Sequence, residues 1–382
     1  MTTRSDLAGV CDAQPGTGFG DTADFERPFD APPSPDELVQ LAMRWHFGPR
    51  TGSPYWLRKA RSLPFDPRTD VKSPADLLLF PDVAEEWRTV PVADLVPRGS
   101  LTGVRPPAVY ESGGTTGPPK RIIDVTAFGR IAGWACHLLA QHADDGLGRA
   151  SWLYLGPTGP HGIAQLVRLM ADRWQAPCLT VDFDPRWVRR CLRLGRPDDA
   201  RQYVAHLADQ AVELLRSQPI AVLFATPPLL EEIAGRPALL DLLRSQLRAV
   251  LWAGTTMDPE TMRLVREELL PGVALVGLYG NTLMGTAPQR PSQDGDSEPC
   301  VFQPHHPYTM LSVVDPATGA EVGYGETGQV RIHHLNRDFL LPQSLERDLA
   351  MRIAPVPAFP WDGVARVRPI GQWPAGVLEG VY

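Results

Sequence analysis

Lysine is almost missing from this 382-residue chain: it occurs at Lys59, Lys72 and Lys120, and arginine supplies the rest of the 37 basic residues. Any chemistry that needs a lysine therefore has three candidates. A basic excess is missing too. The 44 Asp and Glu residues leave a net charge of -7, which argues against general nucleic-acid binding and against attraction to an anionic membrane. Cys11, Cys136, Cys178, Cys191 and Cys300 form no C-x-x-C pair. Neither a zinc site nor a disulfide framework is expected, and reduced thiols suit a cytoplasmic enzyme. No run approaches the ~18 uninterrupted apolar residues of a membrane span. The N-terminus has no basic region followed by an apolar stretch, so no secretory signal is read there.

What is present is the composition of a soluble globular protein, 43% hydrophobic and 21% charged. The length calls for two or three subdomains sharing a large core. Residues 1–30, rich in Gly, Asp, Thr and Pro, show no periodicity and read as a leader. Ser34-Pro35-Asp36-Glu37 then opens a helix, with Ser34 as N-cap and Glu37 closing a capping box, and Ser73-Pro74 starts another. From 107 to 290 the texture is α/β. Runs at 221–225, 249–253 and 273–278 read as buried strands, and the helix between the last two is capped by Asp258 and started by Pro259. Such alternation implies a mainly parallel sheet covered by helices. From 290 to 340 the pattern turns to hairpins, with strands at 310–315 and 329–334 around the Pro316-Ala317-Thr318-Gly319 turn. Residues 341–382 carry Pro342, Pro355, Pro357, Pro360, Pro369 and Pro374, too many for a second stable α/β domain. A catalytic domain over 1–340 and a vestigial tail over 341–382 are expected.

The strongest chemical signal is Glu111-Ser112-Gly113-Gly114-Thr115-Thr116-Gly117-Pro118-Pro119-Lys120. Glycines let a backbone approach closely, consecutive amides form an anion-binding nest, hydroxyls add donors, and Lys120 adds positive charge. The segment is a phosphate loop. It is not that of a P-loop NTPase, whose lysine is followed by Ser or Thr, because Arg121 follows Lys120.

The loop resembles that of the adenylate-forming superfamily of acyl- and aryl-CoA ligases, luciferases and peptide-synthetase adenylation domains. Four later segments match in order. Thr158-Gly159-Pro160-His161-Gly162 is similar to the family segment whose histidine sits beside the acyl group, and Leu251-Trp252-Ala253-Gly254-Thr255-Thr256 to its glycine-rich strand end against adenine. Leu278-Tyr279-Gly280-Asn281-Thr282 matches its Tyr-Gly-x-Thr core, and Gly325-Glu326-Thr327-Gly328 its turn before the ribose aspartate. The resemblance implies that Tyr279 stacks on adenine, Asn281 bonds its edge and Thr282 reaches the α-phosphate. Within Glu346-Arg347-Asp348 it assigns Asp348 to the ribose, with Asp362 in reserve. A narrower resemblance is to the truncated phenazine antibiotic biosynthesis proteins and related aryl-acid-activating ligases.

Two departures stand out. The family's magnesium-binding glutamate after the threonine is replaced by Leu283, and no lysine follows Lys120 to serve as the adenylation lysine of its mobile C-terminal domain. A tail arginine, from among Arg347, Arg352, Arg366 and Arg368, is expected to substitute for that lysine.

For the acid, Trp134, His137 and Gln141 share one helix face by spacing. Trp134 and His137 are expected to line an aryl pocket with His161, Trp252, Ala253, Met284 and Gly285. His305-His306 and His333-His334 are not read as metal ligands, since neighbours on a strand point to opposite faces. The expectation is an α/β adenylate-forming fold, with two layered subdomains and a small β-barrel-like one. It would use ATP and Mg2+, with Lys120 and Thr282 catalytic, to convert an aromatic carboxylic acid to acyl-AMP. The acyl group would pass to an amine, a hydroxyl or a partner enzyme in phenazine- or hydroxyanthranilate-type metabolism. A full aryl-CoA ligase and an inactive nucleotide- or aryl-acid-binding protein are the alternatives, and a homodimer is left open.

Overall fold

The apolar runs form the centre of a six-stranded sheet. In the computed structural model, which describes residues 23–102, 106–114, 117–143 and 147–370, β1 (Ala108–Glu111) and β2 (Arg121–Asp124) pair as an antiparallel ribbon. The main sheet comprises β3 (Ser151–Gly156), β4 (Cys178–Asp182), β5 (Ile220–Ala225), β6 (Ala249–Trp252), β7 (Ala274–Asn281) and β8 (Gly285–Pro288), in the order β4-β3-β5-β6-β7-β8. All neighbours are parallel except β7 and β8. β5 and β6 are buried along their whole length, as strands covered on both faces must be.

The crossovers are helical. Gly162–Arg173 joins β3 to β4, Pro185–Arg193 and Pro197–Ser217 join β4 to β5, and Pro227–Ala234 and Pro237–Gln246 join β5 to β6. Pro259–Leu264, capped by Asp258 as the sequence implies, continues as a π-helical turn over Val265–Leu269. The Ser34 capping box is formed: Ser34 Oγ accepts from Glu37 N, and Glu37 Oε2 accepts from Ser34 N. Ser73 and Asp76 make a second box at the start of Pro74–Leu79.

A separate antiparallel sheet runs β12-β11-β10-β9, built from β9 (Thr309–Val314), β10 (Thr327–Leu335), β11 (Leu340–Ile353) and β12 (Gly363–Pro369). The division expected at residue 340 falls at the start of β11, so the segment beyond it is sheet to Pro369 rather than a tail. The prolines fit without breaking it. Pro342 and Gln343 lie opposite His333 alone, a bulge between the pairs His334↔Leu341 and Ile332↔Ser344. Pro355, Pro357 and Pro360 occupy the connection between β11 and β12.

Of the expected leader, residues 1–22 lie outside the described residues. Phe25 is 3% exposed and packs edge-on to Trp45, and Phe29 packs against Trp134 and His305, so the part from Phe25 onward is docked. Asp338 ties the two sheets together. This fully buried carboxylate accepts through Oδ2 from the amides of Val125, Thr126 and Ala127 at 2.8, 2.6 and 2.8 Å, at the start of helix Ala127–His142. Cys136, Cys178, Cys191 and Cys300 are not in disulfides; Cys11 lies outside the described residues. Among the described residues no helix is long and apolar enough to cross a membrane.

Candidate active site

Strands β3, β5, β6 and β7 end on one edge of the main sheet, where open α/β sheets carry their ligands. Two cavities meet there. One, of about 390 Å³, lies between the β1–β2 loop and the ends of β5 to β7, and the other, of about 360 Å³, between the end of β6, Tyr279 and β12. Gly254, Leu278 and Gly280 line both, so the two adjoin there.

The phosphate loop is the hairpin connection of β1 and β2. Ser112 and Lys120 close it: Ser112 N donates to Lys120 O at 2.9 Å and Lys120 N donates to Ser112 Oγ at 2.8 Å. Gly114 sits at φ +63°, a left-handed conformation that favours glycine. Ser112, Gly113, Gly114 and Lys120 line the first cavity, and Gly117 lies beside the Arg88 guanidinium. Thr115 and Thr116 lie outside the described residues.

The Lys120 ammonium is 3.0 Å from Glu85 Oε1, and the same carboxylate holds Arg88 at 2.6 Å. Arg88, then Lys120, hold the Glu85 carboxyl down at about 2. Glu85 is 69% exposed and Lys120 17%, so the acid sits on the solvent side of the cation. Nothing in the sequence pointed to Glu85 or Arg88, which arrive from a 3-10 segment far upstream.

The Tyr-Gly-Asn-Thr segment forms the β7–β8 hairpin. A side chain at Gly280 would meet the Gly285 carbonyl at 1.9 Å, so only glycine permits this closure. Thr282 donates to the Glu111 carbonyl at 3.3 Å, joining the hairpin to the foot of the phosphate loop. Asn281 Oδ1 accepts from Leu283 and Met284 amides at 2.8 and 3.2 Å, while its Nδ2 is buried without a partner. Tyr279 lines the second cavity with Thr255 and Asp348, and its hydroxyl donates to Asp348 Oδ2 at 3.2 Å. Asp362, the reserve aspartate, is instead paired with Arg352 Nε at 2.7 Å.

The inner wall of the first cavity is aromatic: Phe128, Phe183 and Phe224, with His161, Thr226 and Ala253. Phe224 and Thr226 stand at the end of β5, a position the strand pattern alone could have flagged; Phe128 and Phe183 carried no motif. The His161 ring is kept uncharged, chiefly by burial and then by Arg186, and its Nε2 has no partner.

Four residues expected in the acid pocket are elsewhere. Trp134 and His137 line neither cavity. Trp134 is 4% exposed, donates from Nε1 to the Gln303 carbonyl at 3.0 Å and stacks on His305, because this face of its helix is covered by the segment before β9 and by Phe359 of the β11–β12 connection. His137 stacks on Trp134 and Phe29. Met284 is fully buried behind the hairpin, whereas its neighbour Gly285 does line the first cavity. Trp252 lines the second cavity rather than the first.

On β11, Glu346 and Arg347 line the first cavity while Asp348 lines the second. Burial, reinforced by Asp348, pushes the Glu346 carboxyl up to about 7, with Lys120 opposing. Burial also raises Asp348, against the Tyr279 hydroxyl that lowers it. The paired histidines are core residues. Burial drives His333 and His334 to about 4 and 3, and His305 well below its ordinary value. Among the described residues no group of three or more His, Cys, Asp or Glu is placed to hold a metal.

The family model described as AMP-binding enzyme matches residues 197–336. An open conformation of 2-hydroxyisobutyryl-CoA ligase, in complex with 2-HIB-AMP and CoA, is similar at 15% identity and a TM-score of 0.59, over 83% of this chain and 64% of that one. The fold is that of the adenylate-forming ligases. The same ligase in its postadenylation state gives 15% identity and a TM-score of 0.56, over 83% and 62%. ATP-bound MatB from Rhodopseudomonas palustris gives 17% and 0.45, over 64% of this chain and 46% of that one. The chain thus spans less than two thirds of each of these structures. No curated protein matches it.

Proposed function

We propose that this protein is an ATP-dependent carboxylate ligase that converts an aromatic acid to its acyl-AMP. The observation that carries this reading is the meeting of the two cavities at Gly254, Leu278 and Gly280, between Lys120 and Ser112 on one side and Tyr279 and Asp348 on the other. Adenine and ribose would occupy the second cavity, with Asp348 accepting from the ribose hydroxyls. The triphosphate would lie on the loop at 112–120, and the acid would fill the chamber of Phe128, Phe183 and Phe224. That chamber's flat apolar walls are what support an aryl group.

In the reaction a carboxylate oxygen attacks the α-phosphorus, the bond to the bridging oxygen breaks, and pyrophosphate departs with the electron pair. The charge grows on phosphate oxygens. Lys120, the loop amides and the Thr282 hydroxyl are the donors available to it, and preorganised donors of this kind usually supply the largest share of rate enhancement. On binding, the nucleotide phosphates would displace Glu85 from Lys120, a modest exchange because a solvent-exposed ion pair contributes only ~0–1 kcal/mol. Magnesium would neutralise the phosphates if it accompanies them. Leu283, 3% exposed, stands where the family resemblance places a carboxylate, so that ligand for the ion is missing here.

An amine, a hydroxyl or a partner enzyme would then take the acyl group, and a place in phenazine- or hydroxyanthranilate-type metabolism rests on the sequence resemblance alone. The test is incubation with ATP, magnesium and a panel of benzoic, anthranilic and phenazine carboxylic acids, followed by mass spectrometry. Acyl-AMP and pyrophosphate in equal amounts are expected. ATP binding without any acyl-AMP would mean a binding protein, and rapid stoichiometric acyl-CoA formation on adding CoA would mean a full ligase.

A further inference from the structure

Thr226 is 6% exposed, lines the aromatic chamber, and has a hydroxyl with no hydrogen-bond partner. It is the N-cap residue of helix Pro227–Ala234, where a threonine hydroxyl ordinarily accepts from the amide of the second or third helical residue. Here the second helical residue is Pro228, which has no amide hydrogen, and the hydroxyl does not take up the amide of the third, Leu229. The helix starts with the threonine hydroxyl unused.

A second unused polar atom lies in the same chamber. His161 also stands at a helix N-cap, that of Gly162–Arg173, without capping it, and its buried Nε2 has no partner. Burial keeps the ring neutral, so one ring nitrogen donates and the other accepts. Around these two residues the cavity is lined by Phe128, Phe183, Phe224, Ile163 and Leu166, and at the hairpin end by Asn281, whose Nδ2 is likewise without a partner. A purely apolar aryl acid would leave both polar groups buried and unsatisfied, which is costly, whereas one donor-acceptor substituent on the ring would satisfy them.

Resting on the adenylation reading above, we infer that the acid carries a hydroxyl or amino group on its ring, bound by Thr226 Oγ1 and His161 Nε2, and that Thr226 is the residue selecting for it. Both substituents donate and accept, which a hydroxyl rotor and a neutral imidazole require. A methyl group of nearly the same size does neither. Sites built to bond a substrate hydroxyl discriminate strongly against analogues that lack it, far beyond what a missing methylene achieves.

The experiment compares hydroxy- and aminobenzoates with the matching methylbenzoates and benzoate, by acid-dependent pyrophosphate exchange and by acid binding in the absence of ATP. In the wild type the polar acids are expected to exceed the methyl acids by about tenfold or more in kcat/KM and in affinity. Thr226→Val should bring that ratio to within about twofold, Thr226→Ser should restore it, and His161→Phe should reduce it independently. Equal use of methyl- and hydroxybenzoates by the wild type would overturn the inference. So would a polar preference that survives in both Thr226→Val and His161→Phe. If no acid supports exchange, the adenylation reading fails, and binding decides separately. A hydroxyl-over-methyl preference in affinity that disappears in Thr226→Val upholds the assignment of Thr226, and its absence removes it.

Discussion

Glu85 and Lys120 meet at 3.0 Å at the edge of the phosphate loop, with the carboxylate on the solvent side and the ammonium recessed. On the proposed adenylation reading, a phosphate takes the place of that carboxylate. Lys120→Ala is expected to raise the ATP requirement by roughly ten- to a hundredfold, in line with loss of a charge-assisted bond of about 1.5–3 kcal/mol. Glu85→Gln should act the other way and tighten ATP binding by a few-fold, since it removes a competitor worth ~0–1 kcal/mol. Calorimetric titration of both variants checks the pair; opposite signs are the signature.

The four arginines beyond residue 340 separate into distinct roles. Arg352 is held by Glu321 and Asp362 at 2.7 Å each, and Arg366 by Glu298 at 2.8 Å. Arg347 lines the first cavity with Lys120, and Arg368 lines the second. Arg347→Ala is expected to slow single-turnover acyl-AMP formation by roughly 10²–10³, as for loss of one donor to a developing charge. Arg352→Ala should instead lower the melting temperature. Equal rates in Arg347→Ala and wild type would remove Arg347 from the chemistry.

Glu346 makes stability depend on pH with a definite sign. Its carboxyl is raised to about 7 in the folded chain against 4.5 for a free glutamate. Below pH 4.5 both states hold the proton and nothing is lost. As pH rises from there toward 7 the folded state retains a proton that the unfolded state releases, so stability falls, by up to roughly 3 kcal/mol at 1.36 kcal/mol per unit. Glu346→Gln should therefore melt higher than wild type at pH 8 and close to it at pH 4.5. Thermal scans of the nucleotide-free protein at both pH values measure this, and a gap independent of pH would refute it.

Asp338→Ala should destabilise the whole chain. It leaves the amides of Val125, Thr126 and Ala127 without their shared acceptor, and bonds to a charged group are worth about 1.5–3 kcal/mol apiece before any relaxation. A loss of roughly 3 kcal/mol or more in denaturant unfolding is expected.

The strands, their order along the chain and the helix starts were legible because each rests on local rules. Buried runs mark β5 to β7, and Ser34 and Asp258 cap the helices that follow them. The turns at the two glycine segments were legible for a similar reason, since Gly280 closes a hairpin that no side chain fits and Gly114 takes a left-handed conformation that favours glycine. The acid pocket was not. Trp134 and His137 share a helix face by spacing, but spacing does not say what covers that face, which is the segment before β9 together with the β11–β12 connection. Glu85, Phe183 and Thr226 come from three separated segments that only the tertiary fold assembles.

Asp348 and its neighbours on β11 have a consequence for engineering. The strand that supplies both cavities with charged residues belongs to the second sheet, and Asp338, just ahead of it, grips the helix that follows the phosphate loop. A chimera joined at residue 340 would transplant half of the proposed nucleotide site and sever it from its buried anchor. Modular exchange with a relative should therefore move β9 to β12 as one block together with residues 336 to 339, and replace the Val125 to Ala127 corner to match.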